Sequence, residues 1–395
     1  MTTDTTPRAA TLAVWAGETT HPSYERATQV PVVHSISFGY EDLATWQAVA
    51  LGHEPGHIYS RNTNPTVRAF EEKIQALEQA EAATSFSSGM AAISAALFTL
   101  LRPGDRVVSI RDSYGGTNKL FTEFLPAFDI EVSLCETSDF AAIEAQVARG
   151  CRLLYLESPT NPTVKIVDIE RLARAAHAVD ALVVVDNTFA TPINQTPLAL
   201  GADLVLHSAS KFLGGHADAL GGAACGNASL VRALYHFREI NGAALSPADA
   251  YSLLRGMKTL SLRIERQNQS ALAISRWLLR HPAVEVVNYP GLETHLHHDV
   301  ACRQMRGFGG VLSFSVRGGL EAIRTFLPRL KLAHRAANLG CVETVVGPPL
   351  VTSHVECTAE ERAAAGIPEG LVRYSTGIED VEDLIADLAQ ALAVI

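Results

Sequence analysis

The stretch HSASKFLGGHADALGG at 207–222 sets one lysine, Lys211, among serine, alanine and glycine. A solvated lysine on a surface helix has no need of such small neighbours, whereas an amine lying against a bound group does. Two more segments carry reactive residue types at the ends of apolar runs. VVVDN at 183–187 closes in Asp186, and a carboxylate at the end of an apolar strand needs a cation or hydrogen-bond donors. SFSSGM at 85–90 leads into the apolar run GMAAISAALFTLL at 89–101, so its hydroxyls and amides fall at a helix N-terminus, a ready phosphate site. Each has a plainer reading by itself: a helix cap for Asp186, a serine-rich turn with a solvated lysine, and a serine N-cap.

Together the three segments meet the three requirements of pyridoxal 5'-phosphate. These are a phosphate at a helix N-terminus, a carboxylate facing a ring nitrogen, and a lysine able to bond an aldehyde. Only a primary amine forms such a Schiff base, and small neighbours let the cofactor lie close to the backbone.

The elements that must carry these residues are legible as short apolar strands alternating with helices. RVVSI (106–110), IEVSL (130–134), RLLYLES (152–158), ALVVVDN (181–187) and ADLVLHS (202–208) read as strands. RAFEEKIQALEQA, with Phe70, Ile74 and Leu77 on one face, and DIERLARAAHAV (168–179) read as helices. This is an α/β pattern with a parallel sheet covered on both faces and ligands at the carboxyl ends of its strands. A long helical region at 246–280, strands at 284–291 and 309–319, and a closing helix from Val381 predict a smaller α/β domain. The expected divisions are an irregular arm at 1–60, a cofactor-binding domain at 61–255 and a C-terminal domain at 256–395.

Composition narrows the alternatives. The 395 residues are 47% hydrophobic and 19% charged, too apolar for disorder, and a net charge of -10 gives no reason to expect nucleic acid or an anionic membrane as partner. No run is long enough to span a bilayer, and MTTDTTPRAA lacks a signal pattern. The six cysteines show no CxxC pair, and the expectation is reduced thiols in a cytoplasmic protein. No GxxxxGK[ST] motif and no GxGxxG after a strand is present. THLHH, with His295, His297 and His298, suggests a metal site only superficially, and none is expected.

The ordered set YSRNTNPT (59–66), SSGMAAI (87–93), SYGGTN (113–118), ESPTNP (157–162), VVVDNTFATP (183–192), HSASKFLGGHADALGG (207–222), YPGLETHLHH (289–298) and LVRYSTGIEDVEDLIADL (371–388) resembles the Cys/Met-metabolism family of pyridoxal-phosphate enzymes. That family includes cystathionine γ-synthases and γ-lyases, methionine γ-lyases and O-acylhomoserine sulfhydrylases. The resemblance spans nearly the whole chain. It implies fold type I, with a mostly parallel seven-stranded sheet in the large domain. It also implies that Lys211 holds the cofactor and then moves protons, and that Asp186 keeps the ring nitrogen protonated. Ser88, Gly89, Met90, Ser208 and Ser210 would bind the phosphate, with Thr188 also at the cofactor. Tyr114 would stack on the ring and assist departure of the leaving group, and Asn161 would contact the 3'-oxygen. Arg373 would pair with the substrate α-carboxylate. Tyr59 and Arg61 would reach the phosphate of a neighbouring subunit, which implies at least a dimer, with a tetramer the family expectation.

The sequence departs from the family's pattern on the substrate side. Ser210 replaces a threonine, and Gly116 stands where methionine γ-lyases carry cysteine. NLGCVET (338–344) replaces SLGGxES, which puts Asn338 near the substrate carboxylate and introduces Cys341. Ile240 and Asn241 lie in a region that often tunes substrate choice. The implied reaction is γ-replacement on an activated four-carbon amino acid such as an O-acylhomoserine. γ-Elimination from cystathionine or a related amino acid is the alternative, and cofactor binding without turnover is a third reading.

Overall fold

The computed structural model describes residues 7–18, 27–355 and 357–395. Its larger sheet has seven strands: β1 (Ala82–Phe86), β2 (Arg106–Ile110), β3 (Glu131–Cys135), β4 (Leu153–Glu157), β5 (Leu182–Asp186), β6 (Leu204–Ser208) and β7 (Gly222–Gly226). Their order is β1-β7-β6-β5-β4-β2-β3. Only β7 runs against its neighbours, so the sheet is mostly parallel, as expected. Alternate residues serve opposite faces. Leu154, Leu156, Val183 and Val185 join one buried cluster, while Tyr155 and Val184 join another. Both faces are therefore covered, which is why these strands read as unbroken apolar runs.

The helices that set the site are capped by the residue types that favour it. Asn64 accepts from the amides of Thr66 and Val67 and precedes Pro65 at the start of helix Pro65–Glu78. Ser88 Oγ accepts from the Ala91 amide at 3.1 Å and opens helix Gly89–Leu100. The helical region expected at 246–280 consists of two helices, Pro247–Met257 and Leu260–Leu278. Arg263 caps the end of the first of them. Its buried guanidinium takes the Gly256 carbonyl at 2.9 Å, together with the carbonyls of Phe212 and Leu213, just past Lys211. A cation at a helix C-terminus satisfies a carbonyl that would otherwise lack a donor.

A second sheet follows, β10-β11-β12-β9-β8, built from β8 (Val284–Asn288), β9 (Val311–Val316), β10 (His334–Arg335), β11 (Val345–Gly347) and β12 (Leu371–Ser375). The closing helix is Val381–Leu392. The arm is less irregular than its sequence suggests. It holds helices Ala9–Trp15 and Leu43–Ala50, and the first is tied to its own chain by Lys73, whose ammonium bonds the Ala13 carbonyl at 3.0 Å. Among the described residues no helix is long and apolar enough to cross a membrane.

Candidate active site

A cavity of about 250 Å³ lies at the carboxyl ends of β4, β5 and β6, between the two sheets. Glu157, Asp186 and Ser208 close those strands and line it. Of the residues expected from sequence, Ser88, Gly89, Met90, Tyr114, Asn161, Asp186, Thr188, Ser208, Ser210, Lys211 and Arg373 all line this space. Asn338 sits between two lining residues, Ala337 and Leu339, and bonds two others. Tyr59 and Arg61 lie outside their own chain's cavity. Arg61 stacks over the Tyr59 ring at 5.1 Å and donates to the Glu239 carbonyl. Ile240 and Asn241 do not line the cavity either, and Ile240 is exposed.

One end of the cavity is built to receive an anion. Gly89 and Met90 open a twelve-residue helix, where amides lack intrahelical acceptors. A Cβ on Gly89 would lie 2.6 Å from Ser208 Cβ, so only glycine lets the helix start come this close to the end of β6. Ser210 bonds across its turn, receiving the Gly221 amide at 2.9 Å. The glycines after Lys211 serve packing more than open space. A Cβ on Gly215, where φ is +72°, would strike the Arg263 guanidinium at 2.2 Å, and one on Gly222 would meet the Ser88 carbonyl at 2.1 Å.

Two buried carboxyls stand side by side, because Glu157 and Asp186 are register partners on adjacent strands. Burial pushes Asp186 upward, and hydrogen bonds from Thr188, one of them its amide at 2.9 Å, pull the other way. Burial, then the charge of Asp186, push Glu157 well above the usual carboxylate range. The Glu157 carboxyl receives the amides of Tyr114 at 2.8 Å and Asn161 at 3.0 Å, so one side chain anchors both loops.

On the opposite wall Lys211 and Arg373 meet through one residue. Lys211 Nζ donates to Asn338 Oδ1 at 2.8 Å, and Arg373 donates to the Asn338 carbonyl at 3.0 Å. The second arm of the Arg373 fork donates to Asn161 Oδ1 at 3.0 Å. Burial lowers Arg373 to about 10. Burial also lowers the Lys211 amine, and Arg373 adds to this. The Asn338 side chain thus turns to the lysine, while its main chain faces the arginine.

Sequence reasoning passed over Glu157, although RLLYLES carries the same signal as VVVDN, a carboxylate closing an apolar strand. It also passed over Thr352 and Ser353, which line the cavity from a loop. A buried pair behind β6, His207 Nε2 to Glu78 Oε1 at 2.6 Å, went unremarked because its members are far apart in sequence. The THLHH histidines each face a main-chain carbonyl: Val164 for His295, Ser138 for His297 and Pro290 for His298. None of the cysteines forms a disulfide among the described residues, and Cys135, Cys225 and Cys341 are buried.

These residues fit pyridoxal 5'-phosphate. The Gly89 approach leaves a helix start for a phosphate, Asp186 offers a buried carboxylate for a cationic ring nitrogen, and Lys211 offers an amine in the same cavity. A mostly parallel α/β sheet with such a cavity at its strand ends defines a pyridoxal-phosphate enzyme. The chain belongs to the Cys/Met metabolism PLP-dependent enzyme family, whose model matches residues 10–393. It is 47% identical over 366 residues to an L-methionine gamma-lyase of Fusobacterium nucleatum subsp. polymorphum, covering 92% of this chain and 93% of that one. It is 42% identical over 383 residues to an O-succinylhomoserine sulfhydrylase of Pseudomonas aeruginosa, covering 97% and 94%. A cystathionine gamma synthase from Xanthomonas oryzae pv. oryzae, solved with aminoacrylate and cysteine, superposes with a TM-score of 0.93 at 38% identity, with 98% of each chain covered. The relatives therefore include both synthases and lyases of amino-acid sulfur metabolism.

Proposed function

We propose that the protein catalyses γ-replacement on an activated four-carbon amino acid of the O-acylhomoserine type. The observation that carries its first step, which replacement and elimination share, is the link from Lys211 through Asn338 to Arg373, at 2.8 and 3.0 Å. A substrate anchored by its α-carboxylate on the Arg373 fork then presents its Cα to the Lys211 amine. Bound pyridoxal phosphate supplies an aldehyde for amines and a ring that takes up the electron pair left at Cα. Lys211 removes the Cα proton, and its lowered proton affinity leaves more of the neutral amine to do so. Asp186 holds a proton at the ring nitrogen, and Glu157 holds Tyr114 and Asn161 in place. Ser88, Gly89, Met90, Thr188, Ser208 and Ser210 bind the cofactor. Tyr59 and Arg61 complete the site of a second copy, in a dimer that shares its sites or in a tetramer built from two such dimers. The arm at 1–60, the cofactor-binding domain at 61–255 and the C-terminal domain at 256–395 complete this reading, for a cytoplasmic enzyme.

Gly116 favours replacement over methionine γ-elimination. A Cβ there would lie 2.9 Å from both Met90 Sδ and the Tyr114 ring, so a cysteine would displace one of them. The 47% identity to a methionine gamma-lyase favours elimination as the second reading. Purified enzyme with O-acetyl- or O-succinylhomoserine decides between them. Cystathionine formed only when cysteine is added establishes replacement. 2-Oxobutyrate and ammonia released without a thiol establish elimination.

A further inference from the structure

Asn338 holds Lys211 through an amide, and an amide has two unlike ends. Oδ1 accepts from the lysine, whereas Nδ2 only donates and would face the amine donor to donor after a 180° flip. Something must therefore hold the amide in its working sense. Nδ2 donates to Cys341 Sγ at 3.3 Å, and the Cys341 thiol points to the Leu339 carbonyl at 3.7 Å. Cys341 is 2% exposed, and burial pushes its thiol up, reinforced by Glu343 and Asp218 and opposed by Lys211 and Arg263. The thiol thus keeps its proton, donates to one partner and accepts from the other.

We propose that Cys341 is a positioning residue, whose buried thiol fixes the Asn338 amide with Oδ1 toward Lys211 and so gives the unbonded lysine a single resting place beside Arg373. This rests on the reading of Lys211 as the cofactor lysine. The charged and titratable groups around that amine are Arg373 and Cys341, with Asp186, Glu157 and Tyr114 on the remaining walls of the cavity. An acceptor on the amine favours its protonated form. Losing the amide's fixed sense weakens that acceptor and moves the protonation midpoint down.

The measurement is the rate at which apoprotein captures added pyridoxal phosphate, followed by the cofactor's visible absorption across pH, because capture requires the neutral amine of Lys211. In Cys341→Ala the midpoint of that profile falls by about half a pH unit, a fraction of what a full hydrogen bond to a charged group is worth. Cys341→Ser, which keeps a donor and an acceptor, retains the wild-type midpoint. With substrate, Cys341→Ala lowers kcat and leaves KM within about twofold, since Arg373 bonds the main chain of Asn338. A Cys341→Ala profile that superimposes on wild type, or a serine variant that behaves as alanine, overturns the proposal. Should Cys341→Ala fail to fold, Asn338→Leu removes the same link from the cavity side and must lower the midpoint, and an unchanged midpoint is equally fatal. Lys211→Ala separates the two levels. Cofactor that borohydride still fixes to that variant at the wild-type stoichiometry refutes the cofactor-lysine reading itself. Loss of that fixation, together with an unshifted Cys341→Ala profile, refutes only the positioning role.

Discussion

At the scale of the residue, Arg373 is the most exacting group in the cavity. Both arms of its fork are committed, one to the Asn161 side chain and one to the Asn338 carbonyl, and it is 4% exposed. A lysine in its place brings a point charge that cannot engage two acceptors in one plane. Arg373→Lys is expected to raise KM for an amino-acid substrate by about tenfold or more, the worth of one charge-assisted hydrogen bond, with a smaller fall in kcat. The visible absorption of the bound cofactor should be unchanged. Steady-state kinetics beside a spectrum tests this, and an unaltered KM would remove Arg373 from substrate binding. Asp186, Lys211 and the Ser88–Met90 helix start were legible in sequence because they close apolar strands or open a helix, whereas Tyr114, Asn161, Thr188 and Arg373 came only with the family resemblance. The Lys211–Asn338 contact was not, since it joins positions 127 apart. Which way an asparagine turns depends on neighbours that only the folded chain brings.

At the scale of the element, the start of helix Gly89–Leu100 is packed closely against the end of β6. Gly89→Ala places a Cβ 2.6 Å from Ser208 Cβ and 2.8 Å from Ser208 Cα. The helix start must withdraw, at a cost of about 1–3 kcal/mol for such overpacking. The expected outcome is a folded protein with a lowered Tm and an affinity for pyridoxal phosphate weakened by about tenfold or more, as the phosphate amides shift out of reach. Titration of apoprotein followed by absorbance checks it, and wild-type affinity would place the phosphate elsewhere. The central strands were readable as buried apolar runs. β7 was not, because GAACG has neither bulk nor alternation. Its smallness answers to packing, as the Gly222 approach to the Ser88 carbonyl demonstrates. The short strands β10 and β11, of two and three residues, carry no period at all.

At the scale of the whole molecule, Tyr59 and Arg61 stand apart from their own chain's cavity, which makes sharing between subunits testable. Subunits carrying Lys211→Ala and subunits carrying Arg61→Ala should each be inactive or nearly so alone. Unfolded together and refolded, they should recover about a quarter of wild-type activity, because half of the dimers are mixed and each mixed dimer has one intact site of two. No recovery would mean that each chain serves itself. Stability should also follow pH through His354. This residue is 5% exposed, and burial, Arg373 and Arg362 lower it from 6.5 to about 4. The unfolded chain binds the proton more readily, so the stabilisation is complete above about pH 6.5 and is lost as pH falls through about 4. Urea unfolding of apoprotein at pH 7 and pH 5 should show the loss, and His354→Gln should lessen it. An equal loss in the variant would assign the effect to other groups.

The cavity's walls come from widely separated parts of the chain, from Ser88 to Arg373. A polypeptide is made in one direction, and Arg373 is among the last parts to be added. A truncated product that ends before it holds every strand of the larger sheet, with Lys211 and the Gly89 helix start, yet lacks Arg373 and most of β12, the strand that joins β9 to β11 in the second sheet. On the function proposed above, such a fragment has a place for the cofactor and none for the substrate's carboxylate. A nonsense mutation late in the reading frame therefore opens the second sheet between β9 and β11 while sparing every strand of the larger one.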